Sequence, residues 1–282
     1  MLIYIGIGFE IITQLVQKGC LVYMCARNQE KASEAIQKIQ NSVPLAKIKY
    51  IKMDMQDLKS VQKGAKEFLE LESHLDLLIN NAGIMAQPFS LSADGIEAQF
   101  ATNHLGHHLL TNQLLPALLA APEKPRIVNL SSGGHWLAPS AGICDLNQIN
   151  DPAFLNDVSR YGQSKLANIL HARGFDKRYG DKIIINSLHP GWVNTELYGH
   201  MKSSTFSSFA QHVNSLLALT PLQGALTALY VATSPDIVKN DWRARYFAPI
   251  AYLEKPSKQG VSDVLSEKLW TMSESLISEK LE

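Results

Sequence analysis

The chain has 282 residues, with Lys+Arg 26 balanced by Asp+Glu 26, zero formal net charge, 46% hydrophobic and 18% charged residues. A neutral chain without a basic block carries no electrostatic footprint for nucleic acid or anionic lipid, and its apolar content is too high for disorder. Three cysteines, Cys20, Cys25 and Cys144, are few, odd in number and widely spaced, which argues against a disulfide framework or zinc site and for a reducing compartment.

Met1-Leu-Ile-Tyr-Ile5 is apolar but is interrupted at once by Gly6, Gly8 and Glu10, and lacks the layout of a signal peptide. No run of 18 apolar residues occurs, so no membrane span is expected and a cytoplasmic location is the expectation. An amphipathic stretch over 9–18 follows Gly6-Ile-Gly8. Leu21–Ala26 then reads as a buried strand, 28–40 as a charged helix, 47–53 as a strand with one polar edge and 58–72 as a helix. A strand over 75–79, long helical periodicity over 95–119, a strand at Arg126–Leu130, a helix over 164–179 and a strand over 183–188 continue the alternation. The apolar stretch 215–233 reads as helical, and 262–281 as an amphipathic helix that either caps a substrate cleft or packs on a partner subunit in a homodimer. Strand and helix repeated in this order predict an α/β fold, a doubly wound (Rossmann-type) parallel sheet with helices on both faces. No repeat or linker divides the chain, so 1–282 is expected to be a single domain, with 196–220 as the substrate-loop region.

Five local patterns fall where chemistry would be placed. Gly6-Ile-Gly8 opens a helix, where glycines let a pyrophosphate approach backbone N–H groups and the positive end of the helix dipole. Asn80-Asn-Ala-Gly83 ends a strand and is equally an ordinary turn. Asn103 lies inside a helical pattern, where asparagine is unfavourable unless it is solvated or has a specific task. Ser131-Ser132 ends another strand, as a helix cap also would. In Tyr161-Gly-Gln-Ser-Lys165 the ammonium and phenol share a helix face. A phenol with a pKa near 10 needs a shift of a few units to act as acid and base near neutrality, and a neighbouring cation gives that shift the right sign.

Taken in order, with His189-Pro-Gly-Trp-Val-Asn-Thr195, these patterns resemble the short-chain dehydrogenase/reductase superfamily over about residues 6–250. The retinol-dehydrogenase-like branch is resembled by Asn103-His-Leu-Gly-His-His-Leu-Leu-Thr111, Arg126-Ile-Val-Asn-Leu-Ser-Ser132 and Tyr161-Gly-Gln-Ser-Lys-Leu-Ala-Asn168. The resemblance implies hydride transfer between a nicotinamide and a carbonyl or alcohol, with a lipophilic small molecule as substrate. It assigns Tyr161 as acid and base, Lys165 to the phenol and the nicotinamide ribose, Ser132 to the substrate oxygen, and Asn103 to a water that links Lys165 to solvent. Gly6, Ile7 and Gly8 would meet the pyrophosphate, and Asp54 the adenine. Asn81, Ala82 and Gly83 would line the adenosine side; Pro190, Gly191, Val193 and Thr195 would flank the nicotinamide. Arg27 stands about 20 residues past the glycines, where an acid grips the ribose of NAD and an arginine accommodates the 2′-phosphate of NADP. NADP is therefore expected over NAD.

Other residues have plainer readings. His104, His107 and His108 share helical spacing, but no cysteine or carboxylate completes a metal set, so no metal is expected. His135, after the serine pair, either touches substrate or is a plain loop histidine, and the second is the expectation. Met53, Met55 and Met85 read as core fillers. Trp136, Trp192 and Tyr198 either line an apolar substrate cleft or belong to the core. One departure from the family pattern stands out: its glycine loop, Thr-Gly-x-x-x-Gly-Ile-Gly, would put Met1 at the threonine and Leu2 at the first glycine. That glycine is absent and so is the preceding strand, which makes the first strand shortened or missing and the chain N-terminally truncated relative to the family. Met1 to Ile5 as a strand stub would leave the phosphate loop about five residues short. A non-catalytic or cofactor-deficient relative is the alternative expectation.

Overall fold

Apolar runs bounded by capping residues set the elements. The computed structural model describes residues 6–193 and 218–282. Gly6, at φ 138° in a region that favours glycine, precedes helix α1 (Ile7–Gln17). Next come β1 (Leu21–Ala26), α2 (Gln29–Ser42), β2 (Lys47–Lys52), α3 (Leu58–Leu71) and β3 (Leu77–Asn80). The Asn28 and Asp57 side chains accept from backbone N–H groups in the first turns of α2 and α3 and fix where those helices begin. The long helical region divides into α4 (Ala98–Phe100), a π-helical turn at Ala101–Leu105, α5 (Gly106–Gln113) and α6 (Leu115–Leu119). Then follow β4 (Arg126–Leu130), a 3-10 turn at Gly133–Leu137, α7 (Leu146–Ile149), α8 (Asp157–Tyr179) and β5 (Ile184–Leu188). The chain closes with α9 (Pro221–Thr233), α10 (Pro235–Lys239), β6 (Tyr246–Ala248), β7 (Tyr252–Glu254) and α11 (Asp263–Leu281).

Helix α8 begins seven residues before the expected start at 164, capped by the Asn156 side chain, which accepts from Ser159 N–H. Nearly every residue from Arg160 to Ala172 is buried, so this helix lacks the amphipathic stripe by which a helix start is read. Strands β6 and β7 are three residues each, too short to show a period, and were not expected. Helix α11 matches the expected C-terminal helix. It lies on α5 and α8 of its own chain, with Ser273 Oγ 2.8 Å from His104 Nε2 and Ser266 Oγ donating to the Leu170 carbonyl.

The sheet is parallel and doubly wound, and among the described residues it falls into two parts. Strands β1 and β2 pair in parallel; β3, β4, β5 and β6 pair in parallel in that order, and β7 is antiparallel at the edge. Along β4, Ile127 joins the core beneath α3, α5 and α8, whereas Val128 and Leu130 join the core beneath α1 and α9. Both faces are thus covered, as a parallel sheet requires. Among the described residues no strand lies between β1 and β3; the expected strand stub at Met1 to Ile5 lies outside them. A cavity of about 480 Å³ runs between β1 and β3, lined by Tyr23 and Met24 of β1, Leu78 and Ile79 of β3, Ile11 of α1 and Leu110 of α5. Buried Asn80 also lines it, and its Oδ1 accepts no hydrogen bond from the described residues.

The parting makes the core unequal in its response to added volume. Ala65 is fully buried and lines the cavity, whereas Ala167 is fully buried and does not. Ala167→Leu should cost about 1–3 kcal/mol of stability by overpacking. Ala65→Leu should cost less than Ala167→Leu, because Ala65 borders the cavity and its neighbours can give into it. Urea unfolding of the two variants measures the difference.

Candidate active site

The site is built where α8 crosses the carboxyl end of β4. Ser131 Oγ donates to the Lys165 carbonyl at 2.7 Å, and Lys165 Nζ donates to the Leu130 carbonyl at 3.0 Å. Asn168 Nδ2 donates to the same Leu130 carbonyl at 3.0 Å, and Asn129 Nδ2 donates to the Asn168 carbonyl at 3.1 Å. Four hydrogen bonds thus clamp one helical turn to the last two residues of a strand and the serine after it. Tyr161 and Lys165, four apart on α8, are buried side by side, with Nζ 5.8 Å from the phenol ring centroid. Burial pulls the Lys165 ammonium down to about 8, since an apolar surrounding disfavours the charged form.

Two bare glycine faces gather the remaining side chains. A Cβ on Gly134 would stand 2.8 Å from Tyr161 Cε1 and 3.3 Å from Ser132 Oγ, so serine and phenol meet there. A Cβ on Gly83 would stand 3.2 Å from Lys165 Nζ and 3.3 Å from Asn103 Oδ1, so lysine and asparagine meet at the second face. Asn103 is fully buried in the π-helical turn, which excludes a solvated role. Its Oδ1 accepts from Ile84 N–H at 2.8 Å, and its Nδ2 donates to the Ile84 carbonyl and to Ser164 Oγ. All four expected catalytic residues therefore lie around one pair of glycines.

The expected cofactor positions are brought together in part. A Cβ on Gly8 would stand 2.7 Å from Asn81 Nδ2, so the glycine turn and the Asn81-Ala82-Gly83 turn touch. Gly6 caps α1 without a side-chain hydrogen bond, which leaves the first-turn N–H groups unclaimed by a side chain. Ile7 lies against Gly224, which also adjoins Val193. Gly191 takes φ 87°, and half-buried Pro190 precedes it. Arg27 is exposed at the end of β1, and Asp54 follows β2 with Oδ1 accepting from Gln56 N–H. Thr195 and Tyr198 lie outside the described residues, as does most of 196–220. A glycine start to α1 beside the Asn81-Ala82-Gly83 turn, with Lys165 against Gly83, is an arrangement of donors that fits a nicotinamide dinucleotide.

The short chain dehydrogenase family model matches residues 4–143. The chain is 39% identical over 279 residues to the short-chain dehydrogenase TIC 32 A, chloroplastic, of Brassica napus, covering 96% of this chain and 85% of that protein. It is 37% identical over 270 residues to retinol dehydrogenase 11 of Mus musculus, covering 95% and 82%. This chain belongs to the short-chain dehydrogenase/reductase family. It is therefore an oxidoreductase that acts on CH–OH groups with NAD(P), in line with the retinol-dehydrogenase-like resemblance. A crystallised protein from Mycobacterium Paratuberculosis is 28% identical, with a TM-score of 0.73 and coverage of 97% and 90%. A variant of actinorhodin polyketide ketoreductase solved with NADPH shares the fold at TM-score 0.68 and 19% identity, covering 88% and 92%.

Within this short-chain dehydrogenase/reductase the tempting histidines serve packing. His104, His107, His108 and His171 are buried together, and Trp270 of α11 stacks on His171. Burial pushes His104 and His171 well below the usual histidine range and His107 down to about 4, so these three are neutral at physiological pH. Among the described residues no group of three His, Cys, Asp or Glu is disposed to hold a metal ion. No helix among them is long and apolar enough to cross a membrane. Met53 is buried as a core filler, whereas Trp136 and Trp192 are 61% and 49% exposed and do not belong to the core. Ser164 and Asn168 were not singled out from the sequence as part of the site. Their signal was present in the polar positions 161, 164, 165 and 168, which share one helix face.

Lys165 gives the site a pH signature. Its pKa falls from 10.5 in the unfolded chain to about 8 in the fold. Between those values the unfolded chain binds more protons, so stability rises with pH across that window. The rise should be on the order of 3 kcal/mol at most and should be missing in Lys165→Met. Urea unfolding of both proteins at pH 7.5, 9 and 10.5 reads the slope (the sampling points being about those of the shift).

Proposed function

We propose that this chain is an NADP-dependent reductase and dehydrogenase for lipophilic carbonyls and alcohols, with Tyr161, Lys165, Ser132 and Asn103 as its working set. The observation that carries this reading is the meeting of the four side chains around Gly83 and Gly134. When bound, the nicotinamide supplies or takes up the hydride. In the reducing direction Ser132 donates a hydrogen bond to the substrate carbonyl oxygen, and the Tyr161 hydroxyl gives its proton to that oxygen as negative charge develops there. Lys165 holds the ribose and, below about pH 8, sets a positive charge beside the phenol. Asn103, which shares the Gly83 face with Lys165, positions the water through which Lys165 exchanges protons with solvent. Oxidation of an alcohol runs the same proton path in reverse.

Exposed Arg27 at the end of β1 supports NADP, because a planar guanidinium meets a phosphate with a fork of donors. Asp54, Asn81, Ala82, Pro190, Gly191, Val193 and Thr195 complete the cofactor-binding assignment. The exposed Trp136 and Leu137 beside the Ser132 turn, with Trp192, supply apolar surface for a lipophilic substrate. The free thiols Cys20, Cys25 and Cys144 support a cytoplasmic location.

Fluorescence titration of the purified protein tests cofactor choice. NADPH should quench saturably and more tightly than NADH, and Arg27→Ala should weaken NADPH by about tenfold while leaving NADH unchanged. Tight NADH binding that matches NADPH would remove the role of Arg27, and no saturable signal with either would leave the cofactor-deficient relative. In Tyr161→Phe the cofactor should bind as in the wild type, while turnover falls about 10²–10⁴-fold. Retained turnover would take the acid and base role from Tyr161.

A further inference from the structure

The imidazole of His135 is fully buried, although it lies in the short turn that follows the serine. Nδ1 is 2.8 Å from the carbonyl oxygen of Ser132, and the His135 backbone N–H donates to that oxygen at 3.1 Å. A carbonyl oxygen only accepts, so Nδ1 carries the ring proton. At the other end of the ring, Nε2 is 3.1 Å from the backbone N–H of Ser257. A backbone N–H only donates, so Nε2 is unprotonated. Geometry alone therefore fixes the neutral Nδ1–H tautomer, and burial, which pushes this histidine below the usual range, favours the same neutral state. Tyr246 packs edge-on against the ring at 5.1 Å, and its hydroxyl oxygen, 3.4 Å from Nδ1, can only accept from it.

These bonds act on the catalytic serine from behind. Ser132 Oγ accepts from Gly134 N–H at 3.0 Å, so its own O–H remains to donate to a substrate oxygen, provided the turn keeps its shape. Gly134 is also the surface on which the Tyr161 ring rests. We propose that His135 is a positioning residue, whose Nδ1–H holds the Ser132 carbonyl and thereby aims the Ser132 hydroxyl, while Nε2 anchors the turn to the Ser257 backbone. The proposal rests on the catalytic reading of Ser132 but not on the identity of the cofactor.

An asparagine amide can reach the Nδ1 position and donate; a glutamine reaches the Nε2 position; phenylalanine does neither. With NADPH and the lipophilic aldehyde nonanal as probes, His135→Phe should lower kcat at least about tenfold and leave the KM for NADPH within about twofold. His135→Asn should recover to within about threefold of the wild type, and His135→Gln should stay with His135→Phe. Equal loss in all three variants, or no loss in any, would overturn the proposal. If the wild type does not reduce nonanal, the functional reading falls and ring NMR still decides the positioning claim. In uniformly ¹⁵N-histidine-labelled protein, the His135 signals, assigned by their absence in His135→Phe, should show protonated Nδ1 and bare Nε2 at neutral pH. A protonated Nε2 would contradict the assignment.

Discussion

The site depends on the clamp between α8 and the end of β4. One helical turn is fixed by its backbone carbonyls at Lys165 and Asn168, and by its side chains through the Leu130 carbonyl, so helix and strand cannot slide past one another. Buried polar groups of this kind are costly unless every member is satisfied, and satisfied networks specify one arrangement. The phenol of Tyr161 and the hydroxyl of Ser132 inherit that arrangement, because one comes from the clamped helix and the other from the residue after the clamped serine. Gly134 and Gly83 then let the groups approach where any side chain would intrude.

Among the described residues, the sheet that supports the clamp is divided further along. Strands β3 to β7 form the half that carries Ser132 at the end of β4 and faces α8, while β1 and β2 form a separate half that ends at Arg27 and Asp54. Helices α1, α3 and α5 line the cavity between the halves and are the described elements that bridge them there. The four expected catalytic residues lie with the β3–β7 half, whereas the expected adenosine contacts come from both, Arg27 and Asp54 following β1 and β2 and Asn81 to Gly83 following β3. Binding of the dinucleotide would draw on both.

Much of this was legible in the sequence because strand and helix alternate with strong period. Leu21–Ala26 and Arg126–Leu130 fall at the expected residues, since short runs rich in β-branched and apolar residues leave little freedom. The pairing of Tyr161 with Lys165 was legible through spacing, the two being one turn of helix apart, whereas Ser132 and Asn103 were expected near them through the family resemblance alone. What escaped was set by tertiary contact. The start of α8 lies in a helix buried on nearly all sides, and β6 exists through its pairing with β5. The burial of His135 comes from Tyr246 and Ser257, more than 100 residues away, and nothing near it in sequence announces that. The helical spacing of His104, His107 and His108 did not show what covers them; α11 folds back over His104 and His108.

The central claim is that the clamped turn, the phenol and the lysine work as one unit. Residues that act as a unit lose activity non-additively when removed together. A double-mutant cycle with Tyr161→Phe and Lys165→Met on NADPH-dependent carbonyl reduction tests this most directly. The double variant should be no slower than the worse single variant to within about twofold. A double loss equal to the product of the two single losses would show independent roles and contradict the account.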